Sequence, residues 1–365
     1  MSQAPSPIDW DRAEKVALSV AARRAPSGTR NSSPGHRDVD DWGPADRDVA
    51  PAAVIEDAIA TVTGLRPANG TAQVEFVDRP TWIRANIESF QTLLGPIMEQ
   101  WSDKLPGPGS SAGSVTRQIA GAEVGALLGW MSTRVLGQYD ILVGRGGRDD
   151  TVFLVAPNLA SIEQRYGFDQ GEFRTWVLLH ELTHRAQFNG VPWMRDHFSG
   201  LVQQSMAFAE PDLNAFTEAV KSALRNRREA SQHVRDGGVL GLMAPPEQRA
   251  VMAKIGGLMS LLEGHGDITM TRAAGSLVPN AGRFERILRE RRRNTNPLSR
   301  TIMRLAGIEA KLNQYAAGVR FIDAVEAIDG PRAIDRCWLH PEHVPTMEEI
   351  RAPRLWLDRM GATVD

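Results

Sequence analysis

The chain has 365 residues, of which 42% are hydrophobic and 24% are charged, and its formal net charge at pH 7 is -2. A chain of this length and composition can bury a sizeable core, and its near-neutral charge disfavours nucleic acid as a general partner. The one cysteine, Cys337, excludes a disulfide within the chain and fits a reducing compartment. We expect Cys337 to be a small buried hydrophobe and not a nucleophile.

No uncharged apolar stretch approaches the roughly 18 residues that a membrane-spanning helix needs. Residues 1–24 carry several acidic side chains and lack the continuous apolar core of a signal peptide. We therefore expect a cytoplasmic protein that has no contact with a membrane.

Residues 1–50 are predicted to form a separate N-terminal segment. Asp9 to Arg23 has the spacing of a short amphipathic helix. Pro26 to Pro44 is rich in Ser, Pro, Gly, Asp and Arg, which indicates a flexible or extended linker. We therefore divide the chain into this segment and one domain over residues 51–365.

The first part of that domain mixes helices with short strands. Helices are predicted over Ala52–Thr63, from Arg79-Pro80 onward and over Gln118–Leu136, strands over Thr71–Val77, Tyr139–Val143 and Thr151–Ala156, and a loop over Gly107–Gly113. Gly121, Gly125 and Gly129 fall on one line of the third helix. Such a line predicts the close approach of a second helix, because glycine has no side chain to keep it away. A nucleotide-binding role is disfavoured, because the spacing of a phosphate-binding loop is missing.

A regular helix is then predicted from Phe173 to Phe188, after a short one over Leu159–Tyr166. Asp169 and Glu172 resemble the capping box that begins many helices. Asn189-Gly190 indicates the end of the helix.

This helix carries the motif His180-Glu181-Leu182-Thr183-His184, which reads H-E-x-x-H. Residues four apart lie on the same face of a helix, so His180 and His184 can bind one metal ion. Glu181 can reach a water on that metal and act as its general base. This combination is typical of zinc peptidases, and it predicts a Zn²⁺ cofactor and hydrolysis of a peptide or protein substrate.

Catalytic zinc usually has a third protein ligand, and the residues after His184 do not provide one at the extended-motif spacing. Glu263 is the favoured third ligand, because a carboxylate within the apolar helical stretch Glu247–Arg272 is costly unless it is paired or binds metal. Asp267, one turn later, is expected to accept the N–H of a ligand histidine and so to fix the tautomer of that ring. His265 remains an alternative ligand if the glycines beside it distort the helix. A solvated face remains the alternative interpretation of both carboxylates.

A peptidase also needs a surface for its substrate and a donor for the charge that develops on the carbonyl. A strand beside the metal helix often receives the peptide by edge pairing, and Thr151–Ala156 is our candidate. A buried structural strand is an equally good interpretation of this segment. Tyr139, His265 and Tyr315 are candidate donors in the transition state.

After the motif the chain is predicted to be almost entirely helical. Helices are expected at Phe198–Ala209, Leu213–Val234, Glu247–Arg272, Arg283–Arg291, Arg300–Tyr315 and Val319–Ile328, and a last one around Trp356 in a polar tail. The run from Arg283 to Arg293 leaves a nucleic-acid binder open as an alternative. A solvated helix face explains it better, because Glu285 and Glu290 offset part of the charge.

Longer strings make the chain resemble an actinobacterial family of zincin-like, zinc-dependent metallopeptidases. These strings are Asp78-Arg79-Pro80-Thr81-Trp82-Ile83, Gly137-Gln138-Tyr139-Asp140, the residues from His180 to Phe188, Val191-Pro192-Trp193-Met194-Arg195, Leu262-Glu263-Gly264-His265-Gly266-Asp267 and Lys311-Leu312-Asn313-Gln314-Tyr315. The resemblance covers most of the chain after about Ala50. It implies a mainly α (α+β) fold, with a zincin-like metallopeptidase core, a small β-sheet and many helices. The spacing of Glu263 and Asp267 is similar to that in gluzincins, where the Glu is the third ligand. Members of the family are also labelled as associated with biosynthesis of a deazaflavin coenzyme.

A non-hydrolytic, zincin-like scaffold or assembly protein is the competing function. Such a protein would use the metal, or a remnant of its site, to hold a surface for another protein. The intact Glu181 argues against it, because a purely structural zinc site needs no base and closes its fourth position.

Overall fold

The computed structural model describes residue 6 and residues 8–23, 49–101, 111–140, 150–207, 246–293 and 308–362. These parts are mainly helical with a three-stranded sheet, which confirms the predicted fold class. The helices are α1 (Trp10–Arg23), α2 (Ala52–Thr63), α3 (Arg79–Trp101), α4 (Ser111–Ser132), α5 (Ala156–Tyr166), α6 (Gln170–Gly190), α7 (Met194–Ala207), α8 (Pro246–Ala274), α9 (Ala281–Arg293), α10 (Ile308–Asp329), α11 (Met347–Arg351) and α12 (Pro353–Ala362), with short 3-10 segments at Ala333–Trp338 and Pro341–His343. The strands are β1 (Gln73–Val77), β2 (Gly137–Tyr139) and β3 (Thr151–Val155). None of the described helices is long and apolar enough to cross a membrane.

Some element boundaries differ from the prediction. Helix α4 begins at Ser111, inside the predicted loop, and β2 ends at Tyr139. Helix α10 runs through Gly318, where the sequence predicted a break between two helices. The predicted linker Pro26–Pro44 and the predicted helix Leu213–Val234 lie outside the described residues.

The sheet has the strand order β1-β3-β2, with β1 parallel and β2 antiparallel to β3. Every residue of β3 is buried. The proposal that Thr151–Ala156 is an edge strand for substrate is therefore wrong, because both sides of β3 already pair with neighbouring strands. The alternative interpretation, a buried structural strand, is correct.

The chain divides into two compact units, and the first comprises Met1–Asp57, Asn69–Arg185 and Ser276–Pro279. Its core contains large apolar side chains from α3, α4 and β3, namely Trp82, Ile83, Leu128, Phe153 and Val155. Burial of each such side chain contributes about 1.5–3 kcal/mol.

Helix α1 of this unit packs against α4 along the predicted glycine line. A Cβ atom at Gly121, Gly125 or Gly129 would overlap the backbone carbonyl oxygen of Asp9, Ala13 or Ala17, respectively. The glycines therefore allow the two backbones to touch, and the predicted close helix approach is confirmed.

The second unit comprises Ala58–Ala68, Ala186–Gly275 and Asn280–Asp365. Helices α8 and α10 cross so closely that a Cβ atom at Gly264 would overlap the backbone of Gly318, and one at Gly318 would overlap the carbonyl of Ser260. This contact explains why α10 continues through Gly318: the glycine makes room for a neighbouring helix and does not end its own. Cys337 of this unit is completely buried, and burial raises the pKa of its thiol.

Candidate metal centre

Helix α6 (Gln170–Gly190) is longer at both ends than the predicted run Phe173–Phe188, and it begins directly after Asp169, the predicted cap. The Asp169 carboxylate accepts a hydrogen bond from the Glu172 amide at 2.9 Å, which satisfies one of the unpaired N–H groups of the first turn. Its apolar side chains, including Leu179 and Leu182, are buried and fix the rotation of the helix. The direction in which the side chains of His180 and His184 project from the helix is therefore fixed.

His180 and His184 present their ring nitrogens to one point. Their Nε2 atoms are 3.2 Å apart, and the ring planes are inclined by 80°. Two nitrogens that are each about 2.0–2.1 Å from a tetrahedral zinc ion lie about 3.3–3.4 Å apart. The pair thus has the separation that two ligands of one zinc ion require.

Glu181 lies against strand β2. One of its carboxylate oxygens, Oε2, accepts a hydrogen bond from the Tyr139 amide at 2.9 Å. A Cβ atom at Gly137 would come within 2.7 Å of the Glu181 Cγ atom and 2.9 Å of the Val177 side chain. Strand β2 can approach the carboxylate this closely because residue 137 has no side chain.

Glu263 and His265 are both buried on α8, which is an uninterrupted helix. The helix distortion on which the alternative ligand His265 depended is therefore absent, and Gly264 makes room for the crossing with α10. The His265 Nδ1 atom lies 2.9 Å from the Nε2 atom of Gln187, and the ring packs against Trp338. Gln187 also donates to the carbonyl oxygen of Leu262 at 2.9 Å. The buried side-chain amide of Gln187 thus contacts Leu262 and His265, which lie before and after Glu263 on α8.

Nitrogen and oxygen atoms of His180, His184 and Glu263 all lie within 4.8 Å of one another, a group that can hold a metal ion. Two imidazoles and one carboxylate form a donor set that suits zinc, whereas calcium and magnesium prefer sites built entirely of oxygen. The residues present therefore fit the predicted ion. Asp267 is half-buried on α8, and its predicted role behind a ligand histidine stays a prediction.

Two of the candidate transition-state donors already contact other side chains of the protein. The Tyr139 hydroxyl donates to Asp150 Oδ1 at 3.3 Å, and the His265 ring contacts Gln187. The side chain of Tyr315 lies outside the described part of the chain.

Sequence reasoning missed a buried ion cluster around Arg185, the residue that follows the second histidine. Its guanidinium is fully buried and pairs with the carboxylates of Glu56 and Asp150, and it also donates to the Gly70 carbonyl at 2.8 Å. Burial opposes the charge, but the two carboxylates outweigh it and raise the pKa of Arg185. The only signal in the sequence was a charged residue four positions after Glu181, on a helix with apolar neighbours.

Comparison with known proteins identifies the class to which this fold and site belong. The profile of the zincin-like metallopeptidase family matches residues 8–357, and the chain belongs to that family. Among solved structures, the chain is similar to a candidate hydrolase with a novel fold from Chloroflexus aurantiacus. The two are 31% identical with a TM-score of 0.68, over 97% of this chain and 99% of that one. A search of curated proteins gave no match.

Proposed function

We propose that the protein is a zinc-dependent peptidase that uses Glu181 as its general base. The observation that carries this proposal is the convergence of His180, His184 and Glu263, with Glu181 directly beside the first histidine on α6. Membership of the zincin-like metallopeptidase family supports the same chemistry. The substrate class that follows is a peptide or a protein.

In this proposal His180 and His184 bind zinc through their Nε2 atoms, and Glu263 binds it through a carboxylate oxygen. Asp267 accepts the remaining N–H of a ligand histidine and so fixes its orientation. When bound, zinc supplies a Lewis acid that lowers the pKa of water and polarises a carbonyl.

Glu181 has the proton-transfer role. Its carboxylate accepts the proton of the attacking water and then passes it to the nitrogen of the departing amine. Its burial beside β2 limits the number of orientations that the carboxylate can adopt. Tyr139, His265 and Tyr315 stay candidate donors to the carbonyl oxygen, although the contacts of Tyr139 with Asp150 and of His265 with Gln187 do not favour the first two.

Three further predictions accompany the proposal. They are a cytoplasmic location, the division of the chain near residue 50, and the link to deazaflavin-coenzyme biosynthesis that the family resemblance carries.

The test combines metal analysis with one conservative substitution. The wild type should bind one zinc ion and cleave members of a peptide library, and a chelator should abolish cleavage reversibly. Glu181→Gln should keep the zinc and lose about 100-fold to 10,000-fold in kcat, because it cannot accept a proton. Glu172→Gln, at the start of the same helix, is the control and should retain full activity.

Two outcomes would contradict the proposal in different ways. Full activity of Glu181→Gln on a cleaved peptide would show that another group is the base. A wild-type protein that binds zinc but cleaves no peptide would favour the competing function, a zincin-like scaffold or assembly protein.

A further inference from the structure

Tyr139 connects strand β2 to helix α6 at two points. Its backbone N–H donates to Glu181 Oε2 at 2.9 Å, and its hydroxyl donates to Asp150, which in turn pairs with Arg185. Glu181 and Arg185 are four residues apart and therefore share one face of the helix. The general base and the buried arginine are thus joined through a single tyrosine.

The pairing of β2 with β3 explains why the Tyr139 amide can reach Glu181. Asp140 donates its amide to the carbonyl of Thr151, and the carbonyl of Leu136 accepts from the amide of Val155. In an antiparallel pair, successive residues direct their backbone groups alternately toward and away from the partner strand. The Tyr139 amide therefore points away from β3, and its bond to Glu181 uses no hydrogen bond of the sheet.

The tyrosine ring has a firm anchor. Asp150 adopts a φ of +82°, a left-handed conformation that is uncommon for residues other than glycine. Its two carboxylate oxygens accept from the Tyr139 hydroxyl and from the guanidinium of Arg185, which is completely buried. Such a strained backbone persists where surrounding contacts hold it, and these two bonds supply that hold.

Gly137 supplies the last part of the arrangement. A Cβ atom there would lie 3.0 Å from Glu181 Oε1 as well as pressing on its Cγ atom. Any larger residue would push the carboxylate off the strand, so the position requires glycine for close approach and not for an unusual backbone angle.

We propose that Tyr139 is a positioning residue for Glu181. The backbone amide of Tyr139 holds the Glu181 carboxylate, and the Asp150–Arg185 pair fixes the ring of Tyr139. The inference rests on the proposed function, since it gives the general base a fixed place. It also assigns Tyr139 a task other than donation to the substrate. A catalytic group that moves by about 1 Å can lose on the order of 100-fold in rate, which is why such a hold matters.

The first test measures the contact itself and needs no substrate. Amide hydrogen exchange, read by NMR on the zinc-loaded protein, should be slow at Tyr139 because the carboxylate protects it. Glu181→Ala should speed exchange at this amide by about tenfold or more, the effect of losing one charge-assisted hydrogen bond. Glu181→Gln keeps an acceptor oxygen and should remain near the wild type, and the Asp140 amide should not change in either variant.

The second test removes only the donor. Tyr139→Pro and Tyr139→Ala both lack the ring and the hydroxyl, but the proline variant also lacks the amide proton. Because that proton points away from β3, proline removes no bond of the sheet at this edge. With a cleaved peptide, Tyr139→Pro should have a kcat on the order of 100-fold below that of Tyr139→Ala, at equal KM and equal zinc content.

Gly137→Ala provides a second route if the proline variant does not fold. It should lower kcat without loss of zinc, because it displaces Glu181 and leaves both histidines in place. Unchanged exchange at Tyr139 in Glu181→Ala, or equal kcat in the proline and alanine variants, would overturn the positioning role alone. A wild type that cleaves no peptide would instead overturn the proposed function, and the positioning role with it.

Discussion

Two completely buried polar side chains, Arg185 and Gln187, lie two residues apart on α6 and are held in opposite ways. Arg185 is a charge enclosed by two carboxylates and a backbone carbonyl. Gln187 is a neutral amide that contacts a carbonyl of α8 and the ring of His265. The first arrangement is an ion cluster and the second is an ordinary hydrogen-bonded contact.

The difference teaches what each side of the helix tolerates. A buried charge loses its hydration and is stable only while every counter-charge stays in place. A buried amide loses much less, and its partners can accept hydrogen bonds from elsewhere. We therefore expect the Arg185 cluster to govern folding, and the Gln187 contact to govern the precision with which α8 presents Glu263.

Arg185→Met should have the largest effect, because methionine fills the space but leaves the buried carboxylate of Asp150 and the half-buried carboxylate of Glu56 without their cation. The free energy of unfolding should fall by about 3–5 kcal/mol, the usual cost of removing one partner from a buried ion pair. Urea unfolding followed by circular dichroism would measure it.

Arg84→Met is the matched control, since Arg84 forms an exposed ion pair with Glu14. It should cost no more than about 1 kcal/mol, as surface ion pairs do. Equal losses in the two arginine variants would mean that the buried cluster contributes no more than a surface pair.

Gln187→Met should have an intermediate effect on stability and a selective effect on the metal. It preserves volume but removes the hydrogen bonds to Leu262 and His265, at a cost of about 1–3 kcal/mol. Residues that support a metal ligand typically contribute about 10-fold to 100-fold to metal affinity. Competition with a chromophoric chelator should therefore show zinc affinity weakened by that factor.

An exposed glutamine on α7, Gln203, offers the control for this prediction. Gln203→Met should leave zinc affinity at the wild-type value. Normal zinc affinity in Gln187→Met would show that α8 presents Glu263 without help from this amide.

The contrast between the two side chains also marks the limits of sequence reasoning. The pairing of His180 with His184 was predictable because helix geometry alone sets it. Glu263 was predictable as a ligand from its apolar neighbours, but the helix crossing at Gly264 was not, because its partner Gly318 lies on another helix. The partners of Arg185 come from residues 56, 70 and 150, and no local pattern links these positions.

The sheet shows the same limit. The apolar run of β3 is compatible with a central or an edge strand, and only the order of its partners decides between them. Likewise, the bond from the Tyr139 amide to Glu181 depends on which backbone groups of β2 face β3. The amino-acid sequence of β2 does not show which of its backbone groups face β3.

The smallest predicted effect concerns how the ion cluster responds to pH. Burial is the strongest influence on Glu56 and raises its pKa above the ordinary value of 4.5, against the opposing pull of Arg185. The folded protein therefore holds the Glu56 proton more tightly than the unfolded chain does. As pH falls from neutral through the folded pKa toward 4.5, the wild type should gain stability relative to Glu56→Gln.

Urea unfolding of both proteins between about pH 7 and about pH 4 would measure the difference between their free energies of unfolding. The slope of this difference against pH tests the prediction. Below the ordinary carboxyl pKa both states of the wild type bind the proton, so the difference should level off there. A slope of the opposite sign would mean that attraction to Arg185 outweighs the loss of hydration at Glu56. The sign of the slope therefore decides whether the ionised Glu56 carboxylate stabilises or destabilises the folded protein at neutral pH.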